Sequence, residues 1–391
     1  MIDLSVNTFE AGGTMRIGII GSGSTIEREN LDWSVEDTVF FTVKKTLAKH
    51  NMSIQEIDTI VQAADDIMDG IAINHVYQIE PSGAFLKEES KVERDGAWAV
   101  HYAMARLLSG RFKTAMVVAY SKGSQISLSA FSGMSADPFY LRPVGADADS
   151  IAALQAKYYS ERTGATEEDF AAVAVKNRKN GMKNDRVIKE ETGSFSTSQI
   201  MSAPPIATPI TELSAARTGD GCVVMLLATE EYIKEKKLDA AWITGVGYIS
   251  DAYYPTYRDL SRLKSVEKAA GIAYRMAGAA SESIDFVELH ECYAHQELML
   301  YESLGFCEEG KATQMLHENK TSPEGELPVN ASGGVLSGNV IYASGLARLM
   351  EAALQVRGQA GPTQLKNAKR GLVHSQAGLA MQANIVYIVE S

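Results

Sequence analysis

The segment 284–307 constrains the fold most, because an apolar run there leads through a polar turn into an amphipathic helix. Ile284 and Val287 belong to the apolar run, and residues such as Leu298 and Tyr301 follow at helical spacing. A strand that passes through a turn into a helix is the repeating unit of α/β proteins. We therefore predict an α/β fold, with this turn at the carboxyl end of a strand.

The turn itself carries an imidazole, a thiol and a phenol, on His290, Cys292 and Tyr293. Proteins of the α/β class bind ligands outside the carboxyl ends of their strands. A helix amino terminus also favours the thiolate form of a nearby cysteine. Cysteine is equally a residue type that is often buried, so on this turn alone catalysis and packing remain equal alternatives.

Composition excludes several classes of function. A formal net charge of −12 argues against a nucleic-acid partner, although a local basic patch could still bind an anionic substrate. No apolar stretch reaches transmembrane length and the first residues do not form a signal peptide, so we expect a cytosolic protein. The cysteines, Cys222, Cys292 and Cys307, form no Cys-x-x-Cys pair and predict neither a disulfide framework nor a metal site.

A buried strand is predicted from residue 15, opening at Gly21 and Gly23 into a glycine-containing turn. The pattern is similar to a dinucleotide-binding fingerprint, but Ile26 occupies the position of the third glycine. We therefore reject NAD binding.

A helix followed by a strand occurs twice in the sequence. The first copy is a helix over 97–109 with a strand over 114–120, and the second is a helix from residue 343 with a last strand over 383–389. Two halves built alike indicate an internal duplication. The predicted organisation is a leader (1–14), an N-terminal half (15–123 and 210–260), an inserted loop or cap domain (124–209) and a C-terminal half (261–391).

The predicted cap domain contains a basic run that includes Lys176, Arg178 and Lys179. Such a run is usually a solvated helix face, which is the favoured interpretation. The functional alternative is that it anchors the phosphates of a ligand, since the acidic chain has few other places for them.

A glycine-rich turn at 330–339 precedes the late helix and makes Ser332, Gly333 and Gly334 candidates for ligand contact. Glycine lets the backbone approach a ligand closely, and free amides at a helix start stabilise negative charge. His374 is predicted to lie in a turn before the last strand, where it supplies a second imidazole. A lone histidine of this kind is more often structural.

Taken together, these motifs resemble the thiolase superfamily, and within it the sterol-carrier-protein-type thiolases. The turn at 290–293 resembles that group's His-Asp-Cys-Phe motif, residues 330–334 its Asn-x-Ser-Gly-Gly turn, and residues 220–221 its Asp-Gly pair. The motifs occur in the family's order over nearly the whole chain. The resemblance implies a duplicated thiolase fold with five layers, α/β/α/β/α, and with the insertion as a cap over a coenzyme A site.

The sequence departs from this family where thiolases carry catalytic groups. At the helix start in the first half, where a nucleophilic cysteine is expected, this chain has Glu93 and Asp95. The family's Gly-His-Pro histidine corresponds to Asn339, and Tyr342 replaces a usual glycine. We expect Asp95 to be a helix N-cap, and Glu93 to be either a base or a residue that stabilises the helix start.

One mechanism implied by the resemblance is thiolysis of a β-ketoacyl-CoA. In it, Cys292 or coenzyme A attacks the β-keto carbon, and His290 or His374 transfers the proton. Asn339 and backbone amides then hold the thioester enolate.

The other mechanism is retro-aldol cleavage, which needs no covalent intermediate. A base such as Tyr293 or Tyr342 removes the proton of a β-hydroxyl group, and the same enolate leaves. Loss of the usual cysteine favours this mechanism, whereas the presence of His290 and Cys292 favours thiolysis.

The resemblance is to the branch that includes benzoylsuccinyl-CoA thiolase and steroid side-chain aldolases. We expect an acyl-CoA acyltransferase (thiolase) with an unusual active site, acting on a bulky or aromatic β-ketoacyl-CoA. The tyrosine-rich segment 253–257 supports this choice if it lines an acyl pocket, although it could instead pack at a domain contact. The branch also implies a homodimer core with a small zinc-ribbon and OB-fold partner. A non-catalytic thiolase-like scaffold is the contrasting alternative.

Overall fold

The computed structural model describes residues 16–391, so the predicted leader, residues 1–14, lies outside the described part of the chain. The strands are β1 (Ile17–Glu27), β2 (Thr59–Ala63), β3 (Glu88–Val92), β4 (Thr114–Lys122), β5 (Pro205–Ala207), β6 (Ile210–Thr211), β7 (Asp220–Thr229), β8 (Ala241–Ser250), β9 (Phe286–Glu288), β10 (Arg370–Ala377) and β11 (Ala383–Glu390). The helices are α1 (Val35–Lys49), α2 (Asp66–Asp69), α3 (Ile79–Ser82), α4 (Gly96–Leu108), α5 (Leu128–Met134), α6 (Ala148–Thr163), α7 (Glu167–Gly181), α8 (Thr197–Met201), α9 (Glu230–Lys236), α10 (Lys264–Ala277), α11 (Ala294–Ser303), α12 (Ala312–His317) and α13 (Ser344–Val356).

The main sheet has the strand order β3-β2-β4-β7-β1-β8-β11-β10-β9 and shows the internal duplication directly. In the first half β2 is parallel to β4, β4 is antiparallel to β7, and β7 is antiparallel to β1. In the second half β9, β10, β11 and β8 repeat the same directions in the same order. The two halves join where β1 pairs with β8 over Ile17–Ile19. The predicted duplication is confirmed.

The strand equivalent to β4 in the second half is β10, and not the last strand. We predicted a turn over part of β10 and paired the late helix with the last strand, which is wrong. Sequence patterns identify a strand by an apolar run or by alternating apolar and polar residues. This segment shows neither pattern, because the polar residues His374, Ser375 and Gln376 are consecutive and all buried within the strand.

The layers follow from the faces that each helix buries. Helices α4 and α13 pack together between the two halves, in one apolar cluster with strands of both. Helix α1 covers the outer face of the first half. Helices α10 and α11 cover the outer face of the second half, together with α7. This is the predicted five-layer α/β/α/β/α thiolase fold.

Every residue of α13 is buried, as expected for a helix in a middle layer. Its two charged side chains are neutralised by ion pairs. Arg348 lies 2.8 Å from Glu288, and Glu351 lies 2.7 Å from Arg186. Removing one partner of such a pair would leave a buried charge alone, which costs about 3–5 kcal/mol.

The chain leaves the sheet between β4 and β7 and forms α5 to α8 and the small hairpin β5–β6. Helix α7 of this region packs on α11 and on the turn before α13. An insertion is therefore present where the sequence predicts one, while its boundaries at 124 and 209 stay a prediction. Among residues 16–391, no helix combines the length and hydropathy needed to cross a bilayer.

The first strand is longer than predicted, because it continues through Gly21 and Gly23 to Glu27. A Cβ atom added at Gly21 would lie 2.7 Å from the His50 ring, and one added at Gly23 would lie 2.2 Å from Thr46 Oγ1. These glycines therefore let α1 lie close against the strand and do not form a turn.

Candidate active site

The candidate site lies where the amino termini of α4 and α13 meet, with Asp95 between them. Asp95 is the N-cap of α4, as predicted: its Oδ1 accepts a hydrogen bond from the Ala97 amide at 2.8 Å. Its Oδ2 accepts one from the Gly345 amide of α13, also at 2.8 Å. Burial raises the pKa of this carboxyl to about 6, against the stabilising effect of these donors.

The position of Asp95 changes the predicted role of the helix start. We expected free amides before α13 to hold negative charge on a ligand. Instead, the Gly345 amide is already occupied by a carboxylate of the protein itself. Helix amino termini favour negative charge, and here two of them share one aspartate.

His290 lies beside this carboxylate. Its Nδ1 is 3.1 Å from the Ser375 hydroxyl, which lies next to the Asp95 carboxyl. Burial, together with the nearby charges of His374 and Arg348, lowers the pKa of the imidazole to about 3, so the ring is neutral. Within residues 16–391 the other ring nitrogen, Nε2, makes no hydrogen bond.

Asn339 belongs to the same group of residues. The Ser344 hydroxyl shares its proton between Asn339 Oδ1 at 2.9 Å and the Val340 carbonyl at 3.0 Å, and within residues 16–391 the Asn339 Nδ2 donor makes no hydrogen bond. The segment 216–219 ties this position to the turn at 290–293: the Ala216 amide donates to the Cys292 carbonyl and the Gly219 amide to the Asn339 carbonyl, both at 2.8 Å. Three residues span at most about 10 Å, so the two turns face one region.

Tyr342 adjoins the start of α4, since its carbonyl accepts a hydrogen bond from the Gly96 amide at 2.6 Å. Its φ of 66° lies in the left-handed region that favours glycine, which agrees with the glycine that the thiolase resemblance leads us to expect at this position. Its hydroxyl donates to Asp65 Oδ2 at 2.8 Å, and Phe131 packs edge-on against its ring. Burial and the Asp65 carboxylate raise the pKa of the phenol, which therefore keeps its proton.

Tyr293 is the N-cap residue of α11 and connects the turn to the inserted region. Its hydroxyl donates to Asp149 Oδ1 at 2.7 Å, and Asp149 lies in the first turn of α6. The Tyr293 side chain is buried, and burial together with Asp149 raises its pKa well above the ordinary value. Of the two phenols, Tyr342 is the more exposed.

Cys292 does not have the character that the helix start predicts. Burial, with contributions from the carboxylates of Glu291, Asp95 and Asp149, raises the pKa of its thiol to about 12. The expected stabilisation of a thiolate by the α11 dipole is outweighed by these effects, and the group is a thiol at neutral pH. No cysteine occurs at the start of α4, since Cys222 lies buried in β7.

The predicted roles of His374 and Glu93 need correction. His374 lies within β10 and not in a turn; it is fully buried, its Nε2 is 2.9 Å from Asn384 Oδ1, and burial lowers its pKa to about 4. The Glu93 side chain is 53% exposed and pairs with Lys91 at 2.9 Å. Within residues 16–391, neither side chain hydrogen-bonds to Asp95 or His290.

The glycine-rich turn faces protein and not an open site. Ser332 donates to Glu288, the Gly333 amide donates to the Asn330 carbonyl, and the whole turn is buried. A Cβ at Gly333 would lie 2.6 Å from the backbone of Gly181 in α7. Gly333 therefore allows α7 to pack against the turn, and the amides of Ser332, Gly333 and Gly334 all donate to acceptors of the chain.

The basic run on α7 is also largely engaged within the protein. The Lys176 ammonium lies 2.8 Å from Glu297, and Arg178 is completely buried 3.0 Å from Glu191. The prediction that these two residues anchor phosphates is wrong, because their donors already bind acceptors of the chain. Lys179 lines a cavity of about 920 Å³ with Lys183, and no residue around Asp95 belongs to the lining of that cavity.

Sequence reasoning missed three residues of this site: Ser375, which connects His290 to Asp95, and the carboxylates of Asp65 and Asp149. Ser375 lies in the segment that we predicted to be a turn. Asp65 follows the strand β2 by two residues and could have been noted, since polar residues after a strand often face an α/β site. No sequence pattern marks Asp149.

Comparisons with known proteins agree with the fold and the motifs. Residues 249–390 match the family model of the thiolase C-terminal domain. Sterol carrier protein 2 of Oryctolagus cuniculus is 32% identical over 226 residues, which cover 56% of this chain and 41% of that protein. Benzoylsuccinyl-CoA thiolase subunit BbsB of Thauera aromatica is 29% identical over 229 residues, which cover 58% of this chain and 59% of that protein. The chain thus spans about half the length of these curated relatives.

The solved structure of an Ltp2-ChsH2(DUF35) aldolase superposes with a TM-score of 0.81 and 20% identity, covering 96% of this chain and 98% of that chain. At this identity the likeness establishes the fold alone. The motifs, the duplicated topology and the sequence relatives together support one conclusion: the chain has a thiolase fold, matches the thiolase C-terminal domain family over residues 249–390, and is similar to the sterol-carrier-protein-type thiolases.

Proposed function

We propose that the chain cleaves the bond between the α and β carbons of an acyl-CoA, by a retro-aldol reaction on a β-hydroxyacyl-CoA that forms no acyl-enzyme. The observation that carries this proposal is Asp95 at the start of α4, where the family's acyl-accepting cysteine would stand. Cys292 is a poor substitute, because its thiol has a pKa of about 12. The names of the relatives, a thiolase subunit and an aldolase, support carbon–carbon bond cleavage as the class of reaction.

In this reaction Tyr342 and Asp65 act together as the base. The phenolate form of Tyr342 is disfavoured, so the phenol passes its own proton to Asp65 as it accepts the proton of the β-hydroxyl group. The β carbon becomes a carbonyl, the bond to the α carbon breaks, and its electron pair forms the thioester enolate. The Tyr342 hydroxyl then gives a proton to the α carbon and regains the proton held by Asp65, which completes the reaction and restores both groups.

The enolate oxygen is stabilised by the Asn339 side chain. Because Ser344 donates to Asn339 Oδ1, the Nδ2 group is directed away from Ser344 as a donor. A fixed donor aimed at developing negative charge contributes about 3 kcal/mol to transition-state stabilisation.

The aromatic residues near Tyr342 favour a bulky acyl group. Phe131 contacts Tyr342, and Tyr253 donates a hydrogen bond to the Ser135 carbonyl just beyond α5. Tyr254 donates to Asp137 and packs edge-on against Tyr253. These contacts join the segment 253–257 to the inserted region, where exposed aromatic rings can cover an apolar acyl chain.

A second candidate function is the thiolysis that the sequence favoured, with coenzyme A as the attacking thiol. The neutral imidazole of His290 supports it, since an unoccupied Nε2 can accept the proton of a thiol. In either case we propose a small zinc-ribbon and OB-fold partner, supported by the two-protein name of the structurally similar aldolase. A homodimer core is also proposed, and the unpaired edge of β3 is available for it.

The test is to incubate the protein, with any small protein that copurifies, with β-hydroxyacyl-CoA and β-ketoacyl-CoA esters, with and without free coenzyme A. Mass analysis should detect an aldehyde or ketone and a shortened acyl-CoA from the β-hydroxy ester without free coenzyme A. Tyr342→Phe should lower this rate by about 10²–10⁴-fold, whereas the exposed Tyr102→Phe should not. Cleavage that occurs only with the β-keto ester and free coenzyme A would establish thiolysis instead.

A further inference from the structure

We infer that Asp95, Ser375 and His290 form a proton relay, in which the protonation state of Asp95 determines which ring nitrogen of His290 carries the proton. This inference deepens the proposed function, because it assigns positioning roles to Asp95 and Ser375 at the same site. It rests on three side chains from three separate segments: the cap of α4, the strand β10, and the turn after β9.

The geometry allows the three groups to share protons in one line. Ser375 Oγ lies 3.1 Å from His290 Nδ1 and is next to Asp95 Oδ1, since both oxygens border the same space beside Gly345. Gly345 makes this approach possible, since a Cβ there would lie 2.0 Å from Ser375 Oγ and 2.3 Å from Asp95 Oδ1. A serine hydroxyl has one proton to donate, so its direction is decided by its two neighbours.

When Asp95 is ionised, Ser375 donates to it and accepts from the N–H at Nδ1 of His290. The Nε2 atom is then unprotonated and can accept a proton from a substrate. When Asp95 is protonated, it donates to Ser375, Ser375 donates to Nδ1, and the ring proton lies on Nε2. His290 is then a donor toward the oxygen of a thioester.

The relay provides a way for His290 to accept a proton without becoming a cation. Burial and the charge of Arg348 oppose an imidazolium, as the pKa of about 3 indicates. A proton taken at Nε2 can be balanced by transfer of the Nδ1 proton to Ser375 and of the serine proton to Asp95. One proton enters, one carboxylate is neutralised, and no bond between heavy atoms changes.

Other ionisable groups face this relay and must be distinguished from it. Cys292 and Tyr387 lie near Asp95. The pKa of the Cys292 thiol is raised to about 12, and the pKa of the Tyr387 phenol is raised well above its ordinary value, so both groups keep their protons between pH 5 and 8. His374 is neutral above a pKa of about 4. Burial and Glu297 raise the pKa of Glu291 to about 8, but that carboxyl bonds to Asn330 and Leu336 on the glycine-rich turn.

The test is nuclear magnetic resonance of the full chain labelled with ¹⁵N-histidine, without substrate, between pH 5 and 8. We expect the His290 signals, assigned with His290→Gln, to show Nδ1–H at pH 8 and Nε2–H at pH 5, with a midpoint near the pKa of Asp95 of about 6. Ser375→Ala should abolish this exchange, and Ser375→Thr, which keeps the hydroxyl, should retain it. Asp95→Asn, which can still cap α4, should also abolish the exchange between the two His290 tautomers. This variant provides the test if Ser375→Ala does not fold.

His290 signals that stay constant across this range, that form an imidazolium, or that titrate unchanged in Ser375→Ala would overturn the relay. Because the measurement needs no turnover, it is independent of the proposed function. A normal exchange of tautomers in a protein that cleaves no acyl-CoA would disprove the function and leave the relay intact. Cleavage by a protein whose His290 signals are constant would do the reverse.

Discussion

The burial of Asp95 makes a quantitative prediction about stability, which can be tested with Asp95→Asn. Raising the pKa of this carboxyl from its ordinary value of 3.8 to about 6 corresponds to about 3 kcal/mol of unfavourable free energy for the ionised folded protein. Since the folded state retains the proton more tightly than the unfolded state, stability is greatest below about pH 4. The contribution of Asp95 to the free energy of unfolding then falls by about 3 kcal/mol as the pH rises from about 4 to above 6, and at higher pH it no longer changes.

Replacing Asp95 by asparagine removes the ionisable carboxyl group, but it also replaces one of the two acceptor oxygens with an NH₂ group. In the native protein the two oxygens of Asp95 accept from the amides of Ala97 and Gly345. In the variant one of these amides faces an N–H group, which costs about 1–3 kcal/mol. At pH 7 this loss and the gain from the removed charge nearly offset each other, so Asp95→Asn should be close to the native protein in stability there.

The assay is denaturant unfolding of both proteins at several pH values between 4 and 8. We expect the native protein to be more stable than Asp95→Asn at pH 4, and this advantage to shrink by about 3 kcal/mol between pH 4 and 7. Exposed Asp37 lies in the first turn of α1, where its carboxylate accepts a hydrogen bond from the backbone amide of the N-cap Ser34, and Asp37→Asn provides an exposed control. A difference between native protein and Asp95→Asn that does not change with pH would refute the account of a buried carboxyl.

The remaining predictions concern the thiol and the buried cation. Cys292→Ala should change the rate of retro-aldol cleavage by less than about threefold, measured as product formed per enzyme, because a thiol with a pKa of about 12 takes no part in it; a loss of 100-fold or more would assign it a direct role. Arg178→Met should destabilise the protein by about 3–5 kcal/mol in the same unfolding assay, because it removes the buried partner of Glu191, which keeps only the more exposed Arg28, and the donor to three backbone carbonyls. Exposed Lys183→Met is the control for that change, and equal effects of the two would contradict the burial of Arg178.

Much of the fold follows from local sequence patterns. The helix predicted at 97–109 is Gly96–Leu108 in the structure, and the strand predicted at 114–120 is Thr114–Lys122. Asp95 was predicted as the N-cap of this helix, which is confirmed, because capping depends on neighbours in the sequence. The motifs at 290–293 and 330–334 also led to the thiolase fold that the structure shows, since their order along the chain reflects the duplicated fold.

The site itself was less predictable, because its side chains are satisfied by partners that are distant in sequence. Arg178 belongs to a basic run that indicates a solvated face, yet Glu191 and several backbone carbonyls bury it. The amides of the glycine-rich turn bond to Asn330 and Glu291, which no local pattern reveals. Cys292 illustrates the same limit: the helix dipole acts locally, but burial and carboxylates from other segments determine its pKa.

The absence of an acyl-enzyme is the central claim, and intact-protein mass spectrometry during turnover tests it most directly. The protein would be mixed with a β-hydroxyacyl-CoA, quenched in acid at times before completion, and weighed, while the products are identified in the same samples. We predict that shortened acyl-CoA accumulates while the protein mass stays unchanged. A mass increase equal to the acyl group, present during turnover and absent in Cys292→Ala, would contradict the account.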